Sequence, residues 1–238
     1  MFPISGCISC QHKFCAKKVG LFESFDPDDL ENLLKLIERL YIPKGDFIFK
    51  EGNVSDRLYI VNGGSFKVYR YTKDGKEQIL YLLSEGDYFG ELNLLKTQVQ
   101  EFNAIALEDT HLCTIRKDAF DSLLSAYPKL YAKILEHAYE RINTLESMIQ
   151  TLTAKDVDSR IASLLLKLAD QFGIQKQGCI EIPLKLTREE MSNLIGLTRE
   201  TVSRKLSQFQ TDGLVEFEDS RTIYITDINA LELLKVDA

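Results

Sequence analysis

The 238-residue chain predicts an α+β protein in three parts: an N-terminal β-roll of the double-stranded jelly-roll kind, a long helix, and a C-terminal winged helix-turn-helix. Three observations carry this. Turn dipeptides recur between Gly45 and Asp87, separated by short runs of alternating β-formers. The segment from Pro128 to Asp156 keeps one apolar stripe with neither glycine nor a further proline. Near the C-terminus, two capped helical patterns flank Gly196 and Leu197 and are followed by two alternating strands.

The first 15 residues, MFPISGCISCQHKFC, crowd three thiols, Cys7, Cys10 and Cys15. No basic start with a short apolar run precedes them, and no apolar stretch is long enough to span a bilayer, so a cytoplasmic protein without a membrane partner is expected. Thiols in that compartment are mostly reduced, and five cysteines cannot all pair. The cluster therefore points to a metal, an iron–sulfur group or redox sensing rather than to a structural staple.

Asp26 and Pro27 open the apolar-periodic segment LENLLKLIERLYI, which predicts a helix ending before Pro43. The runs FIF, RLYIV, FKVYRY and QILYLL then read as strands, and closure into a double-sheet roll covers their edges. In the long helix, Leu130, Ile134, Ala138, Ile142, Leu145, Ile149 and Leu152 recur every three or four residues. A narrow stripe of this kind predicts a homodimer seam, with Ile134, Ala138, Ile142, Leu145 and Ile149 at the interface. Asp156 to Phe172 is a further amphipathic helix, and GIQKQGCIEIPLKL a turn and a short strand in which Cys179 is a small buried residue. The parts are bounded as 1–20 for the cysteine segment, 21–128 for the β-roll, 129–154 for the dimer helix and 155–238 for the winged unit.

In LTREEMSNLIGLTRETVSRKLSQFQTDGLVEFEDSRTIYI, Thr187 and Glu190 have capping-box spacing, and Thr198 caps a second helix. GLVEFED and RTIYIT form the wing. The second helix is the one that enters a DNA major groove in such units. Arg199, Glu200, Ser203 and Arg204 share one face of it. Arginine pairs with the guanine edge through two hydrogen bonds, Glu accepts from cytosine N4, and Ser reaches several edges. Arg188, Lys205 and Gln208 are placed for phosphate. The net charge of −7 supplies no general attraction to nucleic acid, so the affinity has to come from this local patch. An enzyme is not expected. The three histidines, His12, His111 and His137, form no spaced metal pair, and neither a nucleophile–base set nor a phosphate-binding glycine loop is present.

With these parts, the β-roll with its GDYFGEL segment, the long helix and LTRETVSR at Leu197 to Arg204, the chain resembles the Crp/Fnr family of bacterial transcription regulators over nearly its whole length. The resemblance implies a cyclic-nucleotide-binding-like β-roll and a homodimer on a palindromic double-stranded operator, with base reading by Arg199, Glu200, Ser203 and Arg204 and RNA polymerase as a further partner. In the cyclic-nucleotide branch, the Gly-Glu-Leu segment and a following Arg-Ser pair hold the ligand's phosphate. Here Gly90, Glu91 and Leu92 are kept, while Gln100 and Glu101 stand where Arg and Ser would lie. A carboxylate in that place repels phosphate, so no cyclic nucleotide is expected. Gly-Glu-Leu then reads as a turn that the fold needs.

The oxygen-sensing branch carries an N-terminal cysteine cluster and one cysteine in the β-roll after a Leu-Glu stretch, here LEDTHLCTI with Cys113. The resemblance thus implies Cys7, Cys10, Cys15 and Cys113 as ligands of a [4Fe–4S] cluster controlling operator binding through oxygen or redox state. Lys13, Lys17 and Lys18 would offset part of its charge. The spacing between Cys10 and Cys15 is one residue shorter than the usual pattern of that branch. Zinc on the same four thiols and a thiol–disulfide switch without any metal remain alternatives.

Overall fold

A computed structural model describes residues 19–54, 56–95, 99–153, 156–219 and 222–235. One compact unit takes the chain as far as Arg70 and then Leu80–Ile142; a second takes Tyr71–Ile79 and the chain from Asn143. Among the described residues no helix is long and apolar enough to cross a membrane.

In the first unit a 3-10 turn at Gly20–Phe22 leads into helix α1 (Pro27–Leu36). Asp26 caps it by accepting from the Asp29 N–H, and Asp29 returns the bond to the Asp26 N–H. The helix is shorter than its apolar pattern predicts, because Glu38–Ile42 form strand β1 instead. The cause is pairing. β1 lies antiparallel to the later strand Thr110–Arg116 with Leu40 opposite Leu112, which buries Leu40 and Ile42. That long-range ladder outweighs the helical preference of Leu, Glu and Arg, which is worth only tenths of a kcal/mol per residue.

The remaining strands follow as β2 (Phe47–Phe49), β3 (Arg57–Gly63), β4 (Phe66–Tyr71), β5 (Glu77–Leu83) and β6 (Tyr88–Phe89), then helix α2 (Glu91–Leu95), β7 (Asn103–Ala106) and β8 (Thr110–Arg116). They form two four-stranded sheets, ordered β1-β8-β3-β6 and β2-β7-β4-β5. Phe49, Val61, Phe66, Val68, Phe89 and Leu112 fill one buried cluster. A second cluster packs Leu58, Ile60, Cys113 and Ile115 from the first sheet against Val19, Leu21, Phe22, α1 and helix α3 (Lys117–Ala126).

Helix α4 (Lys129–Thr153) begins in this second cluster, with Leu130 and Ile134 at 1% and 3% exposure. This corrects the predicted seam, since Ile134 belongs to the core of its own unit and is not open to a partner. The apolar residues left open are Tyr131, Leu135, Tyr139, Ile142 and Ile149, with Ala138 and Leu145 half-buried. Leu135, Ala138, Ile142, Leu145, Ile149 and Leu152 keep alternating steps of three and four, a heptad stripe displaced from the predicted one at its start.

In the second unit, helix α5 (Val157–Phe172) is capped by Asp156, whose carboxylate accepts from the Asp158 and Ser159 N–H groups. Strands β9 (Ile174–Lys176) and β10 (Cys179–Pro183), helices α6 (Arg188–Ile195) and α7 (Arg199–Thr211), strands β11 (Val215–Asp219) and β12 (Thr222–Ile225), and helix α8 (Ile228–Leu234) complete it. The wing is wider than two strands. β10 pairs with β12, setting Ile180 opposite Ile225 and Ile182 opposite Ile223, so the sheet order is β11-β12-β10-β9.

Replacing Ile134 by Ala should lower the unfolding free energy by about 2–5 kcal/mol in urea titrations at monomeric concentration. A residue acting only in a seam between copies would leave the monomer's stability unchanged.

Candidate functional site

The reading face of α7 is set by its caps and its buried side. Thr187 accepts from the Glu190 N–H at 3.2 Å and Glu190 returns the bond at 2.8 Å, which starts α6. The helix ends at Gly196, whose φ of +64° is the left-handed region. A Cβ there would also stand 2.9 Å from Leu152 Cδ2, so glycine is required on both counts. Thr198 then starts α7 by accepting from the Thr201 N–H at 3.2 Å.

Val202, Leu206 and Phe209 are each 2% exposed or less, and their burial fixes the rotation of α7. Arg199, Glu200 and Arg204 are consequently exposed and Ser203 is half-buried, all four on one outward face. Among the described residues no ion pair holds Arg199, Glu200 or Arg204. Ser207 continues the same face one turn on and was not singled out in the sequence; its position four residues beyond Ser203 was the available signal.

Two of the three side chains placed for phosphate, Lys205 and Arg188, are engaged within the unit. Lys205 Nζ stands 2.6 Å from Asp158 Oδ1 and donates to Gln208 Oε1 at 3.1 Å, which ties α7 to α5. The Arg188 guanidinium lies 4.9 Å over the Phe217 ring of the wing, with Nη1 3.4 Å from Met191 Sδ. Burial lowers the Arg188 pKa, although a guanidinium stays charged. The geometry therefore assembles Arg199, Glu200, Ser203 and Arg204 and sets Lys205 and Arg188 apart as braces of the reading unit.

Of the four predicted sulfur ligands, Cys7, Cys10 and Cys15 lie outside the described residues. Cys113 sits in β8, opposite Arg39 of β1 and Ile60 of β3, and is 6% exposed on the helix-covered face of its sheet. Cys179 is half-buried on β10. Among the described residues no group of three or more His, Cys, Asp or Glu side chains could hold a metal ion.

The Gly90–Glu91–Leu92 turn does more than the sequence implies. Gly90 has φ +101°, and a Cβ there would lie 2.5 Å from the Arg57 carbonyl oxygen. The tight passage delivers Glu91 into the interior at 0% exposure. Its Oε1 lies 3.2 Å from His137 Nδ1 and 3.4 Å from Arg141 Nη1, while Oε2 has no hydrogen-bond partner among the described residues. His137 stacks on Tyr88 with ring centroids 4.0 Å apart. The Arg141 guanidinium lies 4.5 Å from the Phe89 ring centre and 5.2 Å from that of Tyr81. Burial pushes the Tyr88 and Tyr81 phenols up, so both stay protonated as neutral walls. The sequence signal for this group was the i, i+4 spacing of His137 and Arg141 on the long helix. Nearby in sequence, Gln100 is buried and accepts from Asn93 Nδ2 at 3.1 Å, whereas Glu101 is exposed.

Residues 39–127 match the cyclic nucleotide-binding domain and residues 159–234 the Crp-like helix-turn-helix domain. The CRP-like cAMP-activated global transcriptional regulator of Mycobacterium tuberculosis is 30% identical over 90% of this chain and 95% of its own. The anaerobic regulatory protein of Aggregatibacter actinomycetemcomitans is 31% identical over 97% of this chain and 89% of its own. The solved structure of FixK2 from Bradyrhizobium japonicum, 25% identical, covers 85% of this chain and 98% of its own with a TM-score of 0.76. With this likeness spanning both units, and a capped helix with Arg199 and Arg204 exposed on its outward face, the chain belongs to the Crp/Fnr family of DNA-binding transcription regulators.

Proposed function

We infer that this regulator binds a palindromic operator as a homodimer, and that oxygen or redox state controls the binding through thiols, with a [4Fe–4S] cluster as the group they hold. The observation that carries the sensing reading is the place of Cys113. It shares a buried cluster with Val19, Leu21 and Phe22, the residues that follow the cysteine stretch. Val19 is four residues beyond Cys15, so chain length limits their separation to about 14 Å. Connectivity thus keeps Cys15 within reach of the cluster that holds Cys113, while Cys10 and Cys7, further back along the chain, are allowed about 30 and 40 Å from Val19.

The donor set suits the group. Four thiolates are the ligand complement of such a cluster, and an apolar shell like that around Cys113 limits solvent at the sulfurs. When bound, the cluster supplies an oxygen-labile iron–sulfide core. The chain's own part is to hold Cys113 rigidly in a central strand while Cys7, Cys10 and Cys15 come from a segment joined at Val19. Were the group lost, the four cysteines would no longer tie that segment to the β-roll. RNA polymerase is the further partner of the operator-bound form. The relatives' names describe regulators, and no enzymatic role is assigned.

Cyclic-nucleotide control is set aside on charge. The activator named for the mycobacterial relative belongs to that protein. In this chain Gln100 is a neutral amide bonded to Asn93, and Glu101 follows it with a negative charge.

The homodimer reading rests on α4. An unpartnered heptad stripe of Leu135, Ala138, Ile142, Leu145 and Ile149 is the surface that a second copy covers.

Anaerobic purification followed by iron, sulfide and zinc analysis tests the sensing reading. Iron and sulfide in equal amounts, with a visible absorption lost in air and missing from Cys113→Ser, is the expected outcome. Zinc instead, or a metal-free protein whose operator binding changes with a disulfide, would replace the cluster. For DNA reading, Arg204→Ala should weaken specific binding by about 1–3 kcal/mol in gel-shift titrations, with the loss concentrated at one base position. For the seam, Leu135→Glu should weaken self-association at least tenfold, about 1.4 kcal/mol, in sedimentation equilibrium.

A further inference from the structure

We propose that Glu91, His137 and Arg141 are positioning residues that fix the rotation of helix α4, and with it the direction in which the apolar stripe faces. The inference rests on the operator-binding reading above.

Helical geometry advances about 100° per residue. On that wheel Leu130, Ile134, His137 and Arg141 fall within about 60° of one another, on the side that meets the β-roll. Leu135, Ala138, Ile142, Leu145 and Ile149 lie about a quarter turn away. Leu130 and Ile134 alone would hold the first two turns by apolar packing, which is non-directional. The polar group is directional. Glu91 is fully buried and reaches both His137 and Arg141, one helical turn apart. His137 is stacked on Tyr88, and Arg141 lies over Phe89 and Tyr81 while Nη2 reaches the Tyr88 carbonyl at 3.4 Å.

A rotation of α4 by one residue would withdraw both partners from a carboxylate that water does not reach. A buried charge without partners is far costlier than a lost surface contact, so rotation is opposed steeply. The anchor ends at Arg141, and the next residue, Ile142, is the first stripe residue beyond it. The chain's own side chains thus engage Oε1 of the carboxylate in the Gly-Glu-Leu turn and hold the helix through it.

The test compares Glu91→Gln, Arg141→Gln and the double variant Glu91→Gln/Arg141→Gln with the unaltered protein. Thermal unfolding, amide hydrogen exchange over residues 135–150 and operator affinity are measured on each full-length chain. The single variants should unfold at lower temperature, exchange at least tenfold faster in that segment and bind the operator at least tenfold more weakly. The double variant leaves no uncompensated charge, so its unfolding temperature should recover while the fast exchange and weak binding persist. If exchange and affinity recover together with the unfolding temperature, the group is merely structural and the proposal is overturned. It also falls if the single variants leave exchange over 135–150 unchanged. Arg204→Ala on the same duplex separates the two readings. Should it leave affinity intact, operator reading by α7 is wrong; should it lower affinity while the clasp variants bind normally, only the positioning inference fails.

Discussion

The way helix α4 is seated in the β-roll is the constraint on which the other assignments depend. Leu130 and Ile134 are buried with α1, α3 and the β1-β8-β3-β6 sheet, and Glu91 reaches up from its glycine turn to His137 and Arg141. Apolar burial of this size contributes a few kcal/mol and the ion-paired carboxylate adds direction. Together they decide which residues of one continuous helix belong to a core and which stay exposed. The exposed set includes Leu135, Ile142 and Ile149, and a stripe of large apolar residues on a helix in water is a surface that association removes from solvent.

The DNA-reading unit solves a similar problem by different means. Here the caps at Thr187 and Thr198 set the helix starts, Gly196 sets the bend, and Val202, Leu206 and Phe209 set the rotation. Among the described residues, the outward Arg199, Glu200 and Arg204 are left without an ion pair by this geometry. Lys205 and Arg188 show the opposite use of a cation. Each is spent inside the unit, one on Asp158 and one on Phe217, where partial burial makes the contact worth more than a surface pair. A cation count along α7 therefore overstates the charge available to a phosphate backbone.

The β-roll illustrates how a shared fold carries different chemistry. Its match to a cyclic nucleotide-binding domain establishes the scaffold, while the residues on that scaffold decide the ligand. Gln100 is a buried neutral amide bonded to Asn93, and Oε1 of the buried Glu91 carboxylate is engaged by the protein's own helix. Cys113 lies in the cluster that receives the chain just after its cysteine-rich start and in which α4 also begins.

The sequence by itself determined the parts that local chemistry controls. Capping boxes, the turn glycines, the strand alternation and the uninterrupted helix after Pro128 each rest on a few neighbouring residues, and each stands in the structure at its expected place. The outward face of α7 with Arg199, Glu200, Ser203 and Arg204 was legible for the same reason, since their spacing alone puts them on one side of a helix. What depended on partners distant in the chain was decided only by tertiary structure. ERLYI left the helical pattern because β8 offered it a ladder; Ile134 left the stripe because the β-roll core took it; Lys205 left the phosphate face because Asp158 stood within reach. The role of Glu91 was hidden for the same physical reason. A carboxylate's environment is set by what folds over it, and His137 and Arg141 come from a helix almost fifty residues further along the chain.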